Sequence, residues 1–307
     1  MADTNGTALK SFDASVVDIE AFMVGCTYEA TRPSADDIAA LKASLRPGSS
    51  VYVTMLPNRP TSELIASAVA LREAGLKPVP HVAARHIESF EELGRLLKSL
   101  SRQAKADEIL LIGGDTAKPA GSVRDVLSVI ESGLLQDSGI KAVGIAGFPD
   151  GHPAMTEDEI EASLVTKLAA IQSAGLDGYI VTQFCFHAQT IINWLDWLRT
   201  RGIQSPVKIG LAGPTSLMKW LNYARKCGVK ASAEALASRS GLVRHAFKSV
   251  APDPIIRTLA GAKAAGQIDN VTPHLFAFGG IGATAAWAQP AISGKIRLNS
   301  DGGFDAI

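Results

Sequence analysis

Eight short, continuously apolar runs alternate with longer segments of helical periodicity along almost the whole 307-residue chain. The runs lie at 22–28 (FMVGCTY), 51–56 (VYVTML), 78–83 (PVPHVA), 108–113 (EILLIG), 142–147 (AVGIAG), 178–183 (GYIVTQ), 207–212 (VKIGLA) and 274–278 (HLFAF). An apolar run without alternation is what a strand covered on both faces requires, so each predicts a strand of a parallel sheet. Between them, 35–46, 62–74, 89–101, 122–135, 157–174, 188–201 and 216–227 carry apolar residues at three- and four-residue spacing, as amphipathic helices do. The tripeptides at 74–76, 174–176, 201–203 and 227–229 each place a glycine, the usual left-handed helix stop, directly before an apolar residue. Eight strands with intervening helices predict a TIM (β/α)8 barrel, an α/β fold occupying 1–307 as one catalytic domain. An N-terminal extension is expected over 1–20 and a loose, Gly/Ser-rich C-terminal tail over 288–307. The crossover at 231–267 is longer and is expected to hold two helices. The competing architecture is an open doubly wound sheet, against which counts the lack of a G-x-G-x-x-G after the first strand.

Charge and composition narrow the function. Thirty basic residues balance thirty acidic ones, which gives no electrostatic reason to expect nucleic acid or an anionic membrane as partner. At 47% hydrophobic the chain has ample material for a large core. Three cysteines, Cys26, Cys185 and Cys227, have no C-x-x-C spacing and argue for a reducing compartment rather than a disulfide framework or zinc cluster. No apolar run approaches the roughly 18 residues of a membrane span, and no basic-then-apolar leader opens the chain. The expectation is a cytoplasmic protein.

In a barrel the chemistry sits at the C-terminal ends of the strands. The polar residues there are Glu29, Thr54, His81 with Arg85 and His86, Gly114-Asp115, His152, and Thr182-Gln183. Glu29 can serve as a general acid with a raised pKa, or pair at the surface with Arg32. Asp115 follows two glycines that permit close approach to a flat or phosphorylated ligand, or it caps a turn. His81 is a ligand contact or a satisfied core histidine. His152 sits in a Pro/Gly-rigid loop, where a bare turn role is the alternative. Gln183 can hydrogen-bond a heteroaromatic edge or satisfy loop backbone, and Thr54 can be simply a strand former. Asp115, His81 and His152 lack the tight spacing of a metal site, so no metal is expected. Neither a serine-nucleophile elbow nor a P-loop is present.

The segments PHVAARHI (80–87), ILLIGGDTAKPAG (109–121), VGIAGFPDGHP (143–153), AGLDGYIVTQFCF (174–186) and KIGLAGPTS (208–216) together resemble the catalytic barrel of the methylenetetrahydrofolate reductase family. The matches run in order from about 29 to 214, with a weaker one at 274–279. The resemblance implies the short, single-domain bacterial type, a reduced folate as substrate, FAD as cofactor and NADH or NADPH as electron donor, working in one-carbon metabolism. It implies interconversion of 5,10-methylenetetrahydrofolate and 5-methyltetrahydrofolate, with a homo-oligomer as the common assembly. Residue by residue, it makes Glu29 the general acid, Asp115 the carboxylate beside flavin and substrate, and Gln183 the pterin-contacting amide. Thr54, His81, Gly114 and His152 match flavin-contacting positions. Two departures bear on the flavin phosphates. The family often carries an arginine immediately before the Gly-Asp pair, where this chain has Gly113. It also often carries basic residues late in the helix after the fifth strand, where this chain has only Lys167, one turn earlier. Lys118, Lys167 or Arg85 is left to supply that charge. The alternatives kept open are a flavin-independent NADH-linked enzyme, the same site working as a 5-methyltetrahydrofolate oxidase, and a non-catalytic folate- or flavin-binding regulator.

Overall fold

In the computed structural model, which describes residues 13–116, 118–216, 218, 219, 222, 223 and 249–307, the strands in chain order are β1 (Thr27–Ala30), β2 (Ser50–Val53), β3 (Lys77–Ala83), β4 (Glu108–Ile112), β5 (Ala142–Gly147), β6 (Asp177–Thr182), β7 (Val207–Ala212), β8 (Thr215–Ser216), β9 (Ser249–Val250), β10 (Val271–Phe276), β11 (Ile296–Leu298) and β12 (Phe304–Ala306). The described helices are α1 (Val16–Met23), α2 (Ala35–Ser44), α3 (Thr61–Glu73), α4 (Phe90–Gln103), α5 (Val126–Glu131), α6 (Leu134–Asp137), α7 (Glu157–Ser173), α8 (Ala188–Thr200), α9 (Asp253–Ala264) and α10 (Ile281–Ile292). Eight of the strands close into a parallel barrel in the order β1-β10-β7-β6-β5-β4-β3-β2. The fold is the TIM (β/α)8 barrel that the alternation of elements predicts. No helix among the described residues is long and apolar enough to cross a membrane.

Local chemistry sets the helix ends. Ser15, Ser34 and Thr156 each accept a backbone N–H in the first turn, while Asp18, Asp37 and Glu159 reach back to the cap, so two orphan donors are met at once. Ser34→Ala is expected to lower stability by about 1 kcal/mol, read as a shift in the urea unfolding midpoint at unchanged slope. After α3, Gly75 adopts φ +84°, its N–H bonds Arg72 O at 2.9 Å and the next N–H bonds Leu71 O at 3.0 Å. That left-handed stop turns the chain so that Leu76 enters the core.

Four expectations are corrected. The apolar run at 22–28 is not one strand: α1 runs through Met23, Gly25 turns at φ +81°, and β1 begins only at Thr27. From residue 13 onward the expected N-terminal extension is part of the fold, with Ile19, Phe22 and Met23 of α1 fully buried. The helix predicted over 122–135 splits into α5 and α6 at Gly133, which is left-handed at φ +75°. The expected loose tail is ordered: β11 and β12 pair antiparallel, Ile296 and Phe304 are buried, and the Phe304 ring stacks on Trp287 at 5.9 Å. Cys227, most of the helix expected at 216–227, its stop at 227–229 and the first part of the 231–267 crossover lie outside the described residues.

Candidate active site

Strand periodicity decides which side chains enter the barrel. Tyr52, Val79, Leu110, Tyr179 and Val181 pack as an inner cluster separate from the helix-facing core. Two residues further along their strands, Thr54, His81 and Gln183 keep the same inward parity. On β1, Glu29 is aligned with Tyr52 of β2 and Phe276 of β10, and Thr27 with His274. Small residues make the room: a Cβ on Gly144 would strike the Tyr179 ring at 2.5 Å.

Glu29 is the centre of this inner layer, with 16% of its side chain exposed. Its Oε1 accepts from Thr54 Oγ1 at 3.4 Å, and its Oε2 lies 3.3 Å from His274 Nε2 and 3.4 Å from His81 Nε2. His274 is held in turn by Thr27, whose Oγ1 is 2.8 Å from its Nδ1. Arg32 pairs instead with Glu63, so the surface pairing considered for Glu29 is not formed. The raised pKa expected for Glu29 is corrected as well. Burial pushes the carboxyl up, but the charges of His81 and His274 and hydrogen bonds from His274 and Thr54 bring it below its ordinary value. Burial acts oppositely on His81 and holds its imidazole below the ordinary range. His274 Nε2 is thus hydrogen-bonded to Glu29, whereas His81 Nε2 lies beside the carboxylate without a hydrogen bond.

The other expected residues lie around the rim. Asp115 is 70% exposed and its Oδ1 is 2.8 Å from His86 Nε2, a side chain almost fully buried. No hydrogen bond or ion pair among the described residues joins Asp115 to Glu29. Gly114, at φ +92°, lies against that same His86 ring. His152 packs edge-on to Phe148 at 4.9 Å and accepts from Ala154 N through Nδ1. Gln183 Oε1 accepts from Phe184 N at 3.2 Å. Lys167 lines a narrow crevice with Gly147, Phe148, Met155 and Leu164 between β5 and α7, and burial pushes its ammonium down.

His274, which belongs to the Glu29 cluster, is the residue that sequence reasoning passed over. Its available signal was a histidine inside an apolar barrel strand. Five buried polar atoms without a hydrogen-bond partner, His81 Nε2, Arg85 Nε, His86 Nδ1, Thr116 Oγ1 and Thr215 Oγ1, lie on β3, on β8 or on the loops that follow β3 and β4. Unmet buried polar atoms at the mouth of a barrel fit a polar ligand that supplies their hydrogen-bond partners.

The sequence profile of the methylenetetrahydrofolate reductase family matches residues 42–245. The chain is similar to methylenetetrahydrofolate reductase 2 of Saccharomyces cerevisiae, at 27% identity over 84 residues. That stretch is 27% of this chain and 14% of the yeast protein, so the match spans a minor part of that relative. Among solved structures, wild-type sialic acid aldolase of Ruminococcus gnavus superposes with a TM-score of 0.46 and 8% identity, covering 87% of this chain and 71% of that one.

Proposed function

The chain belongs to the methylenetetrahydrofolate reductase family, and from that premise we propose that it interconverts 5,10-methylenetetrahydrofolate and 5-methyltetrahydrofolate in the cytoplasm. The observation that carries the reading is Glu29, a part-buried carboxyl in the barrel with two imidazoles within 3.4 Å. In the reductive direction N10 of the folate must gain a proton before the five-membered ring opens to a cationic N5 methylene. Glu29 is the donor in this proposal once a bound folate covers the site and the added burial raises its carboxyl again, with His274 hydrogen-bonded to it and His81 beside it. The resulting carboxylate is held by Thr54 and His274, where the new negative charge faces the cationic pterin. Gln183 supplies an amide to the pterin edge. His86 orients Asp115, so that its charge is added to the mouth when a ligand covers it.

The unpartnered buried polar atoms at the mouth and the cation of Lys167 beside β5 support a bound FAD in this reading. Thr54, His81, Gly114, Asp115, His152 and Lys167 are the positions proposed to hold it. When bound, FAD would take hydride from NADH or NADPH and pass it to the methylene carbon.

Asp115→Asn is expected to lower kcat for folate reduction by about tenfold or more while the folate KM changes much less. Unchanged folate kinetics would remove Asp115 from this role. The reading as a whole is tested by anaerobic turnover with NADH and methylenetetrahydrofolate, with products separated chromatographically. Stoichiometric 5-methyltetrahydrofolate supports it. NADH oxidation without that product, or no turnover in either direction, contradicts it.

A further inference from the structure

We propose that Arg85 is the anion anchor of the barrel mouth, gripping the diphosphate of a bound dinucleotide, and that Gly113 is glycine in order to admit its guanidinium. The inference rests on the functional reading above only for the identity of the dinucleotide.

Arg85 leaves β3 in a single 3-10 turn, Ala84–His86. Its N–H bonds Gly113 O at 3.0 Å, and its carbonyl accepts from Ala120 N at 2.9 Å. Both of its peptide groups are thus clamped to the loop after β4, which fixes the base of a long side chain. The guanidinium then lies back across the end of β4, donating from Nη2 to the Gly114 carbonyl. A Cβ on Gly113 would sit 3.3 Å from Nη2 and 3.6 Å from Cζ. The guanidinium therefore fills the volume that a side chain at 113 would occupy.

Holding a permanent cation there leaves Nε buried without a hydrogen-bond partner. A guanidinium carries five donors in a planar fork matched to phosphate oxygens, so the unmet donor has an obvious complement. The surroundings agree. His152 is pushed below its ordinary pKa by burial first and by the Arg85 charge second, which leaves a neutral imidazole as a hydrogen-bond partner beside the cation. Phe148, in ring contact with His152, also lines the crevice of Lys167. A path of Arg85, His152 and Lys167 thus runs from the β3 end to the β5 end.

The test is calorimetric titration of the full chain with inorganic pyrophosphate. The unaltered protein should bind it, and Arg85→Ala should weaken binding by about tenfold or more. Arg85→Lys, which keeps the charge and disturbs the fold less, should fall between them. In the double variant Arg85→Ala/Gly113→Arg, a guanidinium entering the same volume from the other side should recover most of the affinity. Parallel titrations with FAD and with NADH identify the source of the diphosphate as the one whose affinity falls with Arg85→Ala. Pyrophosphate affinity unchanged in Arg85→Ala, no binding to the unaltered protein, or no recovery in the double variant would each overturn the proposal. Absence of folate turnover alongside intact, Arg85-dependent pyrophosphate binding would instead remove the functional reading and leave the anion site standing.

Discussion

Glu29→Gln is expected to cut methylenetetrahydrofolate turnover by at least about a hundredfold while reduced folate still binds. Glutamine keeps the volume, and its carbonyl oxygen still accepts from Thr54 or His274, the contacts seen at 3.4 and 3.3 Å. It cannot carry the proton that N10 requires. The histidines cannot replace it directly, because His274 is fully buried and His81 is 5% exposed at the side chain. NADH-dependent reduction of an artificial acceptor needs no protonation of a pterin and should survive in the variant. A general collapse of the site would abolish both activities. Near-normal folate turnover would take the acid role away from Glu29.

Glu108→Ala is expected to destabilise the fold by about 3–5 kcal/mol, the usual result of stranding a buried charge. At the N-terminal end of the barrel, Glu108 accepts from Lys208 Nζ at 2.9 Å and pairs with Lys77 Nζ at 2.7 Å. Lys208 also donates to Tyr52 at 2.5 Å and lies over the Tyr179 ring. Burial alone pushes the Glu108 carboxyl up, but the two lysines outweigh it and hold it at about 2, against an ordinary 4.5. The depressed value makes the contribution pH-dependent. It is fully present above about pH 4.5 and is lost as pH falls toward 2. The gap corresponds to roughly 3 kcal/mol. Urea unfolding of both proteins at pH 7 and pH 3 checks this: the difference between them should shrink at the lower pH. A difference under about 1 kcal/mol at pH 7, or one independent of pH, would show that the network carries little.

Much of the barrel was legible because its strands are buried on both faces and read as unbroken apolar runs. β5 and β7 were placed to the residue for that reason. The same property misled at 22–28, where Phe22 and Met23 end a buried helix. Apolar continuity alone does not distinguish a buried helix turn from a buried strand. The capping pair Ser15 and Asp18 was the available counter-signal. The tail was misread because its glycines and Asn299 build the turn of a hairpin, with Gly303 N bonded to Asn299 Oδ1 at 2.9 Å.

At the site, Glu29, Thr54 and His81 were legible from their positions near strand ends. Their meeting depends on the barrel closing, and so does the part played by His274. Thr27 and His274 become neighbours only because β1 pairs with a strand almost 250 residues away. Asp115 was read as part of the same group, yet its contact is with His86 on the rim. The exchange of space between Gly113 and Arg85 leaves no trace in local sequence, since it is a side chain of one loop filling the gap left by another.

The measurement that tests the central claim most directly is a visible absorption spectrum of the purified protein, taken before and after anaerobic NADH and again after methylenetetrahydrofolate. A flavin band that bleaches with NADH and returns with the folate is the predicted result, since it requires one bound flavin to serve both half-reactions. A colourless protein that turns over without added flavin would contradict it. NADH would then have to deliver hydride directly, and Thr54, His81 and His152 would lose the flavin contacts proposed for them.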